Sequence, residues 1–184
     1  MRIVGGQHSG RKLSVPKNND IRPTSNKVRG AIFNALESRG LVDGAMVLDA
    51  FCGSGALGLE ALSRGAEKAV FWDKDSRSLA LAKENADSLG VMADCVFQKR
   101  DATKSHEPKQ HTQFDLVFMD PPYRKSMIQP LIQFLKETQA LSVEAACVLE
   151  MEKDHDPMVG HSFVVLFDKV YGDTRVMIIQ SRTE

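Results

Sequence analysis

The stretch from Val47 to Gly58, VLDAFCGSGALG, limits the possible folds of this chain more than any other. Apolar residues run into Asp49, then Gly53, Gly55 and Gly58 follow in G-x-G-x-x-G spacing, and Leu59, Glu60 and Ala61 continue as a helical run. This order describes a buried strand, a tight turn and a helix N-terminus. Glycine lets the backbone turn sharply and lets a ligand come close, because no Cβ stands in the way. The segment reads as a cofactor cradle, with Asp49, Phe51, Gly53 and Gly55 as candidate contacts. A plain strand-to-helix turn has the same spacing, so the neighbouring acids must carry the argument further.

In a dinucleotide site the pyrophosphate rests on the helix N-terminus, where free N–H groups and the helix dipole favour negative charge. Here Asp49 ends the strand, and no Lys or Arg lies between Met46 and Ser63 to offset it. A diphosphate would be repelled. S-adenosylmethionine carries an ammonium and a sulfonium and no phosphate, so an acid-tipped turn suits it better. A second acid, Asp73 in AVFWD, stands about 20 residues beyond the turn, where a carboxylate commonly binds ribose hydroxyls. It supports a nucleoside without choosing between donors. Asp101, in KRDAT after the third expected strand, can accept from an adenine amine.

The rest of the chain fits an alternating α/β protein. Strands are expected near 46–50, 69–73, 94–98, 115–120 and 145–151, and helices near 56–64, 76–89 and 127–138. Such alternation gives a mostly parallel sheet with helices on both faces. Ser76 is the expected N-cap of the second of these helices, with Leu79, Ala82, Ala86 and Leu89 as its buried stripe. FVVLFDKV and TRVMIIQ, flanking Tyr171, Gly172 and Asp173, read as an antiparallel hairpin at the sheet edge. RIVG and KLSV at the start read as a smaller hairpin, 16–23 as a loop, and 25–40 as an amphipathic helix. Gly30 inside that helix suggests a close approach on its face.

With 184 residues the chain makes one domain with a small appendage. No run approaches the roughly 18 apolar residues of a membrane span, and MRIVGGQHSGRKL lacks the apolar region of a secretory signal. Cys52, Cys95 and Cys147 are isolated and read as free thiols of a reducing cytoplasm. No metal is expected: His106 and His111 lie in a polar loop without a carboxylate or Cys at ligand spacing. The net charge is zero, but residues 1–40 hold eight Lys or Arg against Asp20 and Glu37. This basic extension, set against an acidic body from residue 41 to 184, suggests a polyanionic partner. A merely solvated basic segment has the same composition.

The chemistry is concentrated in FDLVFMDPPY, residues 114–123. An apolar strand runs directly into Asp120, Pro121, Pro122 and Tyr123, at the sheet end where α/β proteins bind ligands. Consecutive prolines fix φ and offer carbonyls without N–H groups, which makes a stiff ledge. A carboxylate, a rigid carbonyl and an aromatic ring suit a planar base with an exocyclic amine. Two acceptors aimed at the amine hydrogens favour pyramidalisation and stabilise the positive charge that grows as nitrogen attacks a methyl carbon.

RIVGG, GRKLSVP, IRPTS with Val28 and Arg29, Phe33 and Asn34, VLDAFCGSGALGLEALSRGA, Asn85, FDLVFMDPPY and YGDT together resemble the bacterial 16S rRNA guanine-N2 methyltransferases acting on the 30S subunit. The resemblance spans nearly the whole chain. It implies a Rossmann-like class I methyltransferase fold with seven strands and an antiparallel C-terminal hairpin, S-adenosylmethionine as methyl donor, and a guanine of small-subunit rRNA in an assembled or nearly assembled particle as acceptor. It maps Asp120–Tyr123 onto the catalytic motif, Asp49–Gly55 onto the glycine loop, Asp73 onto the ribose-binding acid, and Arg22–Thr24 near the target. Two positions depart from the family: Gly30 and Asp73 each stand where Glu is usual. Arg2, Arg11, Lys12, Arg22, Thr24 and Arg29 are the candidate RNA contacts, and a cytoplasmic monomer is expected. Adenine N6 methylation, a non-catalytic RNA-binding module and a nicotinamide dehydrogenase are the competing readings.

Overall fold

The structure, a computed structural model, describes residues 1–16, 25–104, 112–122, 127–158 and 160–182. Its centre is one sheet of seven strands: β1 (Met46–Asp49), β2 (Lys68–Asp73), β3 (Cys95–Lys99), β4 (Phe114–Met119), β5 (Leu141–Glu152), β6 (Phe163–Tyr171) and β7 (Thr174–Ser181). Their order is β3-β2-β1-β4-β5-β7-β6. The first five are parallel, and β7 runs antiparallel between β5 and β6. This is the expected sheet with its C-terminal hairpin. The strand order reverses between β1 and β4, so the connections after these two strands go to opposite faces of the sheet and open a crevice at its carboxyl end.

Side chains alternate across the sheet and build two apolar layers. Val47, Phe71, Leu116 and Phe118 face one side, with α1 (Asn26–Glu37), α2 (Ala56–Ser63) and α3 (Ser76–Leu89). Leu48, Val70, Trp72, Val117 and Met119 face the other, beneath α4 (Ile128–Glu137). Among the described residues no helix is long and apolar enough to cross a membrane.

The structure moves several boundaries. β5 begins at Leu141 rather than 145, because Leu141 pairs with Phe114 before a bulge, beside Glu144 in the left-handed region (φ 63°), shifts the register. Asp75, rather than Ser76, caps α3, its side chain accepting the Arg77 amide. At Gly30 a Cβ would lie 3.5 Å from Val4 Cγ1, which is ordinary contact, so the approach is looser than the glycine suggested.

The basic extension is not a separate body. Ile3 and Leu13 of the N-terminal hairpin and Val28, Ile32, Phe33 and Leu36 of α1 share one core with Leu59 of α2. Residue 40 therefore marks a change of charge and not a break in packing. Ile3 N donates to Arg11 O, Gly10 N to Ile3 O and Leu13 N to Met1 O, giving the expected hairpin. Its glycines dock on the end of α2: Gln7 N donates to Ser63 O at 2.7 Å, and a Cβ on Gly6 would fall 1.8 Å from that same oxygen.

Beneath the hairpin lies Glu60, fully buried in a helix whose eight residues are all buried. Val4 N and Gly5 N donate to its two carboxylate oxygens at 2.8 Å each. Arg29 Nε donates from α1 at 3.2 Å and Arg64 Nε at 2.8 Å. Arg29 itself is 0% exposed and also donates to Arg2 O and Asn26 Oδ1. Burying charges is costly unless each is paired and hydrogen-bonded, as here. Glu60→Ala removes the carboxylate that pairs with the buried Arg29 guanidinium and accepts the Val4 and Gly5 amides, so we expect a loss of about 3 to 5 kcal/mol. Urea unfolding monitored by circular dichroism measures this directly. A midpoint unchanged from wild type would contradict the assignment.

Candidate active site

The crevice at the reversal of strand order is a cavity of about 470 Å³, within the range of small-molecule sites. Asp49, Phe51, Gly53, Asp73, Asp101, Asp120, Pro121 and Pro122 all line it. Residues read as a donor cradle and as an acceptor ledge, as far apart in sequence as Asp49 and Asp120, thus meet in one chamber. Asp120 opens onto the same space as Asp49 and Asp73 and is not turned into the interior. Tyr123, Arg22, Thr24, His106 and His111 lie outside the described residues.

The turn is built by two acids. Asp73 Oδ2 accepts the Gly53 amide at 3.0 Å, and its Oδ1 accepts the Asp75 amide at 2.8 Å. Asp49 Oδ2 accepts the Gly58 amide at 3.0 Å, which ties the end of β1 to the first turn of α2. The three glycines divide the work. Gly53 has positive φ (53°), and a Cβ there would meet nothing within 4 Å, so its open side is the cavity. Gly55 was expected to touch a ligand, but it does not line the cavity. It is the left-handed N-cap of α2 (φ 78°), and a Cβ there would crowd Ala82 at 3.1 Å. Gly58 lets α2 lie on β2, because a Cβ would sit 2.4 Å from the Phe71 ring.

The electrostatics select ligands. Asp49, Asp73, Asp75, Asp101 and Asp120 line the chamber, and among the described lining residues only Lys74 and Arg100 have cationic side chains. Burial, opposed by the Gly58 amide and helped by the Asp73 charge, pushes the Asp49 carboxyl up to about 7. A buried acid of this kind gains most from a cation placed beside it. Asp101 is held below the usual carboxylate range by the hydroxyl and amide of Thr103, whose Oγ1 donates at 2.7 Å. Cys52 also lines the chamber, but burial pushes its thiol up, so it stays protonated and is no nucleophile.

Three features in or beside the chamber were given no role by the linear reading. Met1, Val15 and Pro16 close one wall, brought there by the N-terminal hairpin. Arg100 lies over the Trp72 ring at 4.4 Å, with burial lowering its guanidinium pKa. Asn85, in the inward stripe of α3, bonds both the hairpin and the glycine turn. The signal for Asn85 was a lone amide among Leu79, Ala82, Ala86 and Leu89. Of the expected RNA contacts, Arg2, Arg11 and Lys12 are exposed on the hairpin, Arg2 and Lys12 as bridged neighbours. Arg29 is corrected: an enclosed guanidinium paired with Glu60 presents no surface to a phosphate.

A sheet in this order, a lone antiparallel strand inserted near one edge, and an acid-tipped glycine turn at the switch point define a class I methyltransferase fold. The comparisons agree. The model of the family described as Conserved hypothetical protein 95 matches residues 1–180. Ribosomal RNA small subunit methyltransferase D of Escherichia coli is 35% identical over 185 residues, covering 100% of this chain and 91% of that protein. The protein of the same name from Haemophilus influenzae is 31% identical, covering 98% and 94%. The solved structure of yhhF from Escherichia coli superposes with a TM-score of 0.88 at 32% identity, covering 100% of this chain and 99% of that one. The chain belongs to this methyltransferase family.

The raised Asp49 pKa has a signed consequence for the unliganded protein. Asp49 contributes stability that is fully present below its ordinary pKa of 3.8 and is lost as pH rises through about 7. The stability of wild type relative to the Asp49→Asn variant should therefore fall between pH 4 and 7 and level off above. Urea midpoints of both proteins across that range measure it. A difference that does not change with pH would show that Asp49 is not buried in solution.

Proposed function

We propose that this chain transfers the methyl group of S-adenosylmethionine to the exocyclic N2 of a guanine in small-subunit rRNA, acting on an assembled or nearly assembled 30S particle. The observation that carries the proposal is the single chamber shared by the acid-tipped turn and the Asp120–Pro122 ledge. The family relatives named for small-subunit rRNA methylation support the choice of substrate.

The residues present fit the donor. Asp49 and the open side of Gly53 suit its cationic amino-acid end, Asp73 its ribose and Asp101 its adenine amine, while Phe51 packs beside it. The excess of carboxylates disfavours a diphosphate and hence a nicotinamide cofactor. When bound, the donor supplies an electrophilic methyl carbon on a sulfonium.

The rest is the work of the chain. The guanine amine is a poor nucleophile because its lone pair is delocalised into the ring. The Asp120 carboxylate and the Pro121 carbonyl accept its two hydrogens, draw the nitrogen toward a pyramidal geometry and stabilise the charge that develops. Pro121 is buried and Pro122 exposed, so the ledge is anchored on one side and presented on the other. Tyr123 provides a ring for the flipped base to stack on. Holding nitrogen and methyl carbon at about 3 to 3.5 Å supplies much of the acceleration. Once methylated, the nitrogen sheds a proton to Asp120 or to water, so no strong base is needed. Arg2, Arg11 and Lys12 contact RNA phosphates from the hairpin, and the family resemblance adds Arg22 and Thr24 as RNA contacts.

Two outcomes are expected. Asp120→Ala should lower methyl transfer to 30S subunits by at least about a hundredfold, with affinity for S-adenosylhomocysteine within a few-fold of wild type. Full activity in that variant would remove Asp120 from the chemistry, and absence of transfer by wild type would favour a binding module over an enzyme. Labelled methyl groups on subunits from cells lacking the enzyme should map to N2-methylguanine. An N6-methyladenine product would overturn the base assignment.

A further inference from the structure

Asn85 lies on α3, is 1% exposed, and spends its amide on two distant segments. Ser14 N donates to Asn85 Oδ1 at 2.7 Å, and Asn85 Nδ2 donates to Ser14 O at 3.0 Å. The amide thus satisfies both backbone groups of Ser14, as a neighbouring strand would. Its second N–H reaches Ser54 O at 2.9 Å, in the middle of the glycine turn. Ser14 Oγ adds a weaker tie, donating to Glu84 Oε1 at 3.1 Å.

What hangs on these bonds is the chamber itself. Ser54 lines it from the turn, while Val15 and Pro16, directly after Ser14, line it from the hairpin together with Met1. Gly53 and Gly55 both have positive φ, and besides its own Gly55 N–Cys52 O bond the turn is tied to Asp73 on one side and to Asn85 on the other. The Glu60 cluster fixes the hairpin at Val4 and Gly5, whereas at Ser14 the described hydrogen bonds run to α3.

We infer that Asn85 is a positioning residue that joins the N-terminal arm to the glycine turn, making the arm a wall of the donor site whose docking is coupled to donor occupancy. The inference rests on the proposed reading of the chamber as the donor site. Filling the chamber adds contacts to Met1, Val15 and Pro16 that exist only with the arm docked, so occupancy favours the docked state and docking favours occupancy by the same factor. The arm carries Arg2, Arg11 and Lys12, which gives RNA bound there a route to the donor site.

The test uses the full chain with S-adenosylhomocysteine as the probe. In wild type, the probe should slow hydrogen exchange of the Ser14 and Val15 amides severalfold. Asn85→Ala should weaken probe binding by about tenfold and abolish that added protection. Asn85→Asp keeps the acceptor for Ser14 N but sets a carboxylate against two carbonyls, and should behave like Asn85→Ala. A purely structural role would lower thermal stability and leave probe affinity and arm protection in step with wild type. Probe binding within twofold of wild type in a folded variant, or unchanged exchange at residues 14 and 15 in wild type, overturns the inference. If the variants do not fold, the wild-type exchange measurement decides alone. Failure of wild type to bind the probe at all overturns the donor-site reading, and this inference with it.

Discussion

The structure depends on a carboxylate placed where no water reaches it. Glu60 sits in a helix buried on every side and is satisfied by two backbone amides of the hairpin, the guanidinium of Arg29 and that of Arg64. Each of these groups would be costly to bury without the others. The arrangement therefore holds the Val4–Gly5 end of the hairpin and α1 on α2. Arg64 extends the network outward to Glu37 at 2.7 Å, near the end of α1. A basic extension that looks separable by charge is in this way integrated into the core.

From that anchor the consequences reach the site. The docked hairpin delivers Met1, Val15 and Pro16 to the chamber, and Asn85 pins its far end to the glycine turn. The parallel sheet does the rest, since β1 and β4 are adjacent and end together, with Asp49 paired to Phe118, two residues before Asp120. The glycine turn and the Asp120–Pro122 ledge are neighbours because of strand order, as the proposed chemistry requires.

The parts that were legible in the sequence are those whose physics is local. An apolar run that ends in an acid and a glycine turn, or in an acid and two prolines, states its conformation within ten residues. The alternation of strands and helices stated the sheet. What stayed hidden acts over long separations: Glu60 meets Val4 and Gly5 across 56 and 55 positions, and Asn85 meets Ser14 across 71. Arg29 was misread for the same reason, since an arginine reads as a surface cation until its buried partner is known. Gly53 and Gly55 look alike in sequence, and only the surroundings show that one faces the chamber while the other faces Ala82.

In the proposed reaction a methyl donor bound at the turn presents its reactive end to Asp120. A crystal structure of the full chain with S-adenosylhomocysteine tests this most directly. It should show the amino-acid end against Asp49 and Gly53, the ribose hydroxyls on Asp73, and the sulfur facing the Asp120–Pro121 ledge with no protein atom between. Product bound elsewhere, or a sulfur screened from Asp120, would contradict the account.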